Sequence, residues 1–569
     1  MGLGRLGPAR RALLRALARA PDDWAVRYNL VLLAAETGDV ALAETHAEAC
    51  RRLNPDAPET ANASGLAHLA AGRPLEAEAA FAEARRRAPD DPTALRNWAR
   101  AVKAAGRPEE AAEALAPLLA REPGPAEVTR SLMAAALDDA ALSAQALDVL
   151  SPLLEGAQAS PAVLGQAASI AERCGRLSDA EVWAEAALAG AGDDAETRDW
   201  ALVIRARLAR RAGDAAAALE ALAGAEPGRH AAGRALLAAE IHFEIARAAD
   251  LLGRTEETLA HARAGNELMA AREAAAGVDA ERHLARLAET TRRLQEAAPL
   301  AAPEDGLEDG LEDGLAEDLM DGGPAPRLVF LTGAARVGST LLVRSLEASS
   351  RLIALDEPAL GLARLSLDEP PARLRAALFD ALAAAAGLAD ARALDGKLVL
   401  IKAPMAALDA PKLFRAAPDS KLILMHRDPF DVVLSAYLQN FRGSDLLHGF
   451  RTLNGAARLY DATLTCLEAL ARHLPDERRL TLFYERLAGD YERELQALCG
   501  FLEIPYEEAL AADETRAGAR ARRVRTPSYH QIAGPVTERA VARWRRYEDA
   551  LAETAPLLQP WRARLGYDG

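Results

Sequence analysis

The chain has 569 residues, enough for roughly two to four domains with ordinary cores. Its net charge of −16 argues against a general nucleic-acid binder or a binder of anionic membranes, which are normally basic. Four scattered cysteines without a CxxC pair exclude a disulfide framework, and the ten histidines show no metal-ligand spacing, so reduced thiols, a cytoplasmic setting and no metal are expected. No apolar run reaches the roughly 18 residues of a membrane span. The Arg/Ala-rich start, GRLGPARRALLRALARAPDDW, lacks the apolar centre of a secretory signal and is expected to form a capping helix.

Residues 24–125 repeat at an interval of 34, with Gly38, Gly72 and Gly106 in one register. Ala43, Ala77 and Ala111 hold a second register, and Pro55, Pro89 and Pro123 a third. Glycine permits a tight turn between two helices, alanine lets the helices approach closely, and proline stops the second one. This pattern resembles the tetratricopeptide repeat. Looser echoes at Gly175 with Ala180, Gly213 with Ala218, and Gly253 extend it to about residue 298. The resemblance implies an all-α solenoid over 1–298 whose concave groove takes a protein or peptide partner. The plainer alternative is that the repeats scaffold the chain or make a homodimer. Residues 299–326 carry nine acids, no base and an EDGL repeat, which suits a solvated acidic linker.

From Arg327 the pattern changes to α/β. Strand-like runs are RLVFLTG (327–333), RLIAL (351–355), KLVLIK (397–402), KLILMHR (421–427) and RLTLFYE (479–485), separated by helical stretches. A parallel sheet with helices on both faces is predicted, with its ligand site at the carboxyl ends of the strands. Polar residues fall at those ends: Arg336, Glu357, Lys402, Arg427 and Tyr484. After the first strand, Gly333 and Gly338 have the spacing of a nucleotide P-loop, and Ser339 stands where that loop needs lysine. Such a strand–loop–helix start gathers backbone N–H groups and the helix dipole on a bound phosphate or sulfate. Asp428 and Pro429 are expected to cap and open a helix, with Arg427 offering a bidentate fork to phosphate and Ser435 a hydroxyl. The competing reading pairs Arg427 with Asp431 or Asp428 on the surface.

Together these motifs resemble the sulfotransferase superfamily, and within it the tyrosylprotein sulfotransferase branch. ARVGSTLL resembles its 5′-phosphosulfate loop and HRDPFDVVLSAY its 3′-phosphate motif. Asp356-Glu357 stands at its catalytic acid pair, Lys402 at its lysine after the next strand, FYERL at its YE-x-L segment, and PSYHQIAGPV at its C-terminal loop. Val337 and Ser339 depart from the usual loop residues, and Asp356 from the first acid. The resemblance implies a sulfotransferase domain over 327–569 using 3′-phosphoadenosine 5′-phosphosulfate (PAPS). In it Glu357 is the general base, and Lys402 and Arg336 stabilise the transferred group. Arg336, Val337, Gly338, Ser339, Thr340, Arg427, Ser435, Tyr484, Ser528 and Arg543 hold the donor. The acceptor is expected to be a hydroxyl, tyrosine among the candidates, on a polypeptide held by the repeats. Two alternatives stand beside it: an interaction scaffold with an inactive nucleotide-binding domain, and a P-loop kinase or NTPase, which Ser339 disfavours.

Overall fold

The computed structural model describes residues 6–121, 126–140, 142–155, 159–229, 235–275, 277–296, 325–347, 349–358, 360–362, 365–403, 406–441, 445–507 and 540–567. They divide into two compact units, Met1–Val278 and Asp279–Gly569.

The first unit is helical throughout. Leu6–Arg19 packs on Trp24–Thr37, which pairs with Val40–Leu53. Further hairpins follow: Pro58–Ala70 with Pro74–Arg87, Pro92–Ala104 with Pro108–Arg121, and Glu127–Asp139 with Ser143–Glu155. Pro161–Arg173 with Leu177–Gly190, Ala195–Arg211 with Ala215–Leu222, and Ala235–Leu251 with Thr255–Ala275 continue the series. The repeat registers have their expected physical content. Gly38, Gly72 and Gly106 turn between paired helices at φ 69°, 71° and 84°, a left-handed conformation that side-chain-bearing residues rarely adopt. Ala43, Ala77 and Ala111 are fully buried where the helices touch. Pro123 lies outside the described residues. The hairpin Glu127–Glu155 escaped the pattern: Ala140 occupies the turn-glycine register, and the buried contact alanine, Ala146, sits one residue late. Polar contacts also bind successive hairpins. Asn62 donates to the Tyr28 hydroxyl at 3.0 Å and accepts from Asn97 at 2.8 Å. Arg207 is buried between the equally buried Glu240 and Glu244.

The second unit holds the predicted sheet. Its strands are β1 (Arg327–Gly333), β2 (Ile353–Asp356), β3 (Leu398–Lys402), β4 (Lys421–His426) and β5 (Arg479–Phe483). Their order is β2-β3-β1-β4-β5, and every neighbouring pair is parallel. β3 is buried along its whole length and β1 after its first residue, as unbroken apolar runs in a parallel sheet require. β1 is central, with β2 and β3 on one side and β4 and β5 on the other. The connection from β1 runs to β2 on one side and that from neighbouring β3 crosses to β4 on the other, so a crevice opens outside the carboxyl ends of these two strands.

The boundary between the two units falls after Val278. Helix Ala280–Glu296 belongs to the second unit. Its buried stripe of His283, Leu287, Thr291 and Leu294 lies against helix Leu453–Ala471. Glu281 pairs with Arg458 at 2.6 Å, and Arg282 with Asp445 at 2.7 Å. In sequence, a helix that closes a solenoid and one that covers a sheet domain show the same apolar stripe.

Candidate active site

The loop between β1 and helix Ser339–Leu346 is shaped by close approaches. A Cβ on Gly333 would collide with the Met425 carbonyl of β4, and one on Gly338 would sit 2.5 Å from the Tyr484 ring. Arg336 and Gly338 both take positive φ, 74° and 96°. A turn of this kind directs successive N–H groups into one concavity, ahead of helical amides that lack partners within their own helix. Val337, Ser339 and Thr340 of the loop are buried.

Lys402, the last residue of β3, is 1 % exposed. Its ammonium donates to Thr340 Oγ1 at 2.8 Å, Asp356 Oδ1 at 2.7 Å and Glu357 Oε1 at 2.7 Å. Three donors thus meet three acceptors, the condition under which an ammonium tolerates burial. The pairing follows from the sheet, since Asp356 of β2 lies in register with Lys402. The two carboxylates differ in access. Asp356 is 8 % exposed at its side chain, whereas Glu357 is 39 % exposed and faces solvent. Glu357 also holds a left-handed φ of 52°, and its N–H donates to the Lys402 carbonyl at 2.9 Å. A glutamate strained in this way is held by its surroundings against a cost of about 1 kcal/mol or more, and such strain gathers at functional sites.

The other end of the loop meets β4. Asp428 caps helix Pro429–Tyr437 through the Phe430 N–H, with Pro429 at its first position, as the sequence predicts. Arg427 is buried, donating from Nη1 to the Arg336 carbonyl at 3.2 Å and from Nη2 to the Ala540 carbonyl at 2.6 Å. Its guanidinium lies 4.8 Å from the centre of the Tyr484 ring, and its Nε is buried without a partner. Ser435 accepts from Arg336 Nε at 3.2 Å. Arg336, Gly338, Arg427, Ser435 and Tyr484 are therefore one connected group. Burial raises the Tyr484 hydroxyl above its ordinary range and holds His426, at the end of β4, neutral with a pKa of about 4. Arg543 opens the turn Arg543–Tyr547, next to Trp544, whose N–H reaches Asp431. Ser528 and the rest of the segment PSYHQIAGPV (527–536) lie outside the described residues.

Two carboxylates carry more of the site than the sequence suggested. Asp356 clamps Lys402, and its signal was the acid pair itself. Asp431, considered only as a surface partner for Arg427, is fully buried, 3.9 Å from it. An aspartate followed directly by two valines in a short apolar helix was the available signal. Among the described residues, no cluster of three or more His, Cys, Asp or Glu side chains is placed to hold a metal ion. No described helix is long and apolar enough to cross a membrane.

Residues 326–508 match the family model described as sulfotransferase family, and residues 68–136 match a tetratricopeptide repeat model. The chain carries a sulfotransferase-family domain behind tetratricopeptide repeats. The matched sulfotransferase segment takes in β1 through β5 and every site residue named above except those in the C-terminal segment. Among curated proteins, the chain is 29 % identical over 144 residues to an uncharacterized protein of Aquifex aeolicus (strain VF5), covering 25 % of this chain and 18 % of that protein. Similar solved structures include the sulfotransferase domain from the Synechococcus PCC 7002 olefin synthase, at 19 % identity and a TM-score of 0.31, covering 42 % of this chain and 95 % of that one. Another is the APC/C hetero-tetramer Cut9-Hcn1, at 16 % identity and a TM-score of 0.36, covering 45 % and 48 %.

Proposed function

We propose that the sulfotransferase-family domain moves a sulfuryl group from PAPS to a hydroxyl of a protein or peptide acceptor, tyrosine among the candidates. In this reading the repeats recruit that acceptor, and the protein works in the cytoplasm. The observation that carries it is the Lys402 ammonium clamped between Glu357, Asp356 and Thr340 at one end of the anion loop. At the other end stands Arg427, with its bare, buried Nε.

These residues fit the donor. The amides of Val337 to Thr340 suit a 5′-phosphosulfate, and Arg427 with Ser435 suits a 3′-phosphate. Tyr484 offers a ring to the nucleotide, and Ser528 and Arg543 are its remaining proposed contacts. When bound, PAPS supplies a sulfuryl group already attached to a phosphate leaving group. In this reading Glu357 takes the acceptor hydroxyl proton; its solvent exposure, greater than that of Asp356, supports the choice. Lys402 keeps that carboxylate oriented and, with Arg336, brings positive charge to the oxygens that gain electron density. Asp356 holds Lys402 in place.

Label transfer from radiolabelled PAPS to tyrosyl peptides tests the assignment. Glu357→Gln is expected to lower transfer about a hundredfold or more while leaving nucleotide affinity within about twofold. Unchanged transfer by that variant would remove Glu357 as the base.

A further inference from the structure

Asp431 lies one helical turn beyond Arg427 and is fully buried. Its Oδ1 accepts the Trp544 backbone N–H at 2.8 Å. Its Oδ2 has no hydrogen-bond partner and stands 3.9 Å from Arg427 Nη2. A bare carboxylate oxygen in the interior is costly, so its place beside the arginine of the donor site calls for a physical reason.

The charged and titratable neighbours come from every element packed on this helix. Arg427 and the cap residue Asp428 lie just ahead of its first turn, and Arg543 comes from the C-terminal turn. Tyr484 approaches from the end of β5. Arg562, on the terminal helix Ala555–Leu565, is bound to Asp428 at 3.0 Å. Helix Leu453–Ala471 contributes the buried Tyr460, and the turn Gly449–Arg451 contributes Arg451, which donates to the Phe441 carbonyl. Arg427 is therefore the cation closest to balancing Asp431. A phosphate on Arg427 would place a second anion against the same guanidinium.

We infer that Asp431 is the charge-balancing positioning residue of the donor site, taking up one proton from solvent as a phosphate group settles on Arg427. This rests on the donor-site reading above. With the site free, the carboxylate orients Arg427 and ties the Trp544 N–H to the helix. Burial already pushes this carboxyl up to about 6, against the opposing pull of Arg427. An incoming anion moves it further in the same direction. Protons are then bound with the nucleotide, and affinity rises as pH falls through about 6 to 7.

Calorimetric titration of the full chain with adenosine 3′,5′-bisphosphate tests this, from about pH 5.5 to about pH 8.5 in buffers of different ionisation enthalpy. Asp431→Asn keeps an oxygen for the Trp544 N–H and removes the charge. The ligand's own phosphates titrate alike in both proteins, so the difference reports Asp431. Near pH 7 the wild type is expected to take up up to one proton more than the variant. At about pH 8 the variant is expected to bind roughly tenfold tighter for each unit by which the phosphate raises the carboxyl, converging at low pH. Wild-type proton uptake that matches the ligand's own titration overturns the inference without any variant. Parallel pH profiles for the two proteins overturn it as well, while leaving the donor site standing. Absence of binding by both at every pH overturns the donor-site reading, and the inference with it.

Discussion

Lys402→Met replaces the buried ammonium by an uncharged side chain of similar length. Asp356, nearly buried, then loses its 2.7 Å partner, and Thr340 Oγ1 loses its 2.8 Å donor. Removing one partner of a buried ion pair costs about 3–5 kcal/mol. The lower end applies here, because Glu357, 39 % exposed, can turn its charge to water. About 3 kcal/mol corresponds to amide exchange roughly 150-fold faster where opening is the limiting equilibrium. Hydrogen exchange read by mass spectrometry on peptides from β1, β3 and β4 measures this in the full chain. Adding Asp356→Asn to Lys402→Met removes the carboxylate charge that the ammonium faced and is expected to restore part of the loss. Exchange unaffected by Lys402→Met alone would refute the idea that this ammonium neutralises the carboxylates at the strand ends.

Gly338→Ala places a methyl 2.5 Å from the Tyr484 ring at φ 96°, so Tyr484 must leave its place against Arg427. Bisphosphate affinity measured by calorimetry should fall about tenfold with helix content unchanged by circular dichroism. His426 is held at about 4, below its ordinary 6.5, so its neutral ring stabilises the sheet fully above pH 6.5 and that stability is lost as pH falls through about 4. The contribution is about 3 kcal/mol, and His426→Gln should flatten the pH dependence of exchange in β4 over that range. In the repeats, Arg207→Met takes one cation from the buried Glu240 and Glu244, which keep Arg247 at 3.7 Å and 2.7 Å, and should cost about 2 kcal/mol, seen as faster exchange in Ala195–Arg211 and Ala235–Leu251.

Much of the fold could be read from residue types because local chemistry enforced it. A left-handed turn needs glycine, so Gly38, Gly72 and Gly106 marked the hairpins, and apolar-rich runs marked the parallel strands, most plainly β1, β3 and β4. Where the signal was only an apolar stripe, as in Ala280–Glu296, nothing in the residues told which core would receive it. The same limit applies to the site. Glu357, Lys402 and Arg427 stood at strand ends and could be picked out. The burial of Asp431 and the clamp of Asp356 on Lys402 depend on how β2, β3 and the C-terminal turn close around them. Such contacts join residues far apart in sequence, and periodicity does not report them.

The central claim is that the loop Gly333–Thr340 and Arg427 form a site for a 3′-phosphorylated adenosine donor. Titration of the purified chain with adenosine 3′,5′-bisphosphate, against ATP and with Arg427→Ala as the control, tests it most directly. The account predicts that the bisphosphate binds at least tenfold more tightly than ATP, and that Arg427→Ala removes about 2–3 kcal/mol of that affinity. A preference for ATP, or bisphosphate binding indifferent to Arg427, would contradict it.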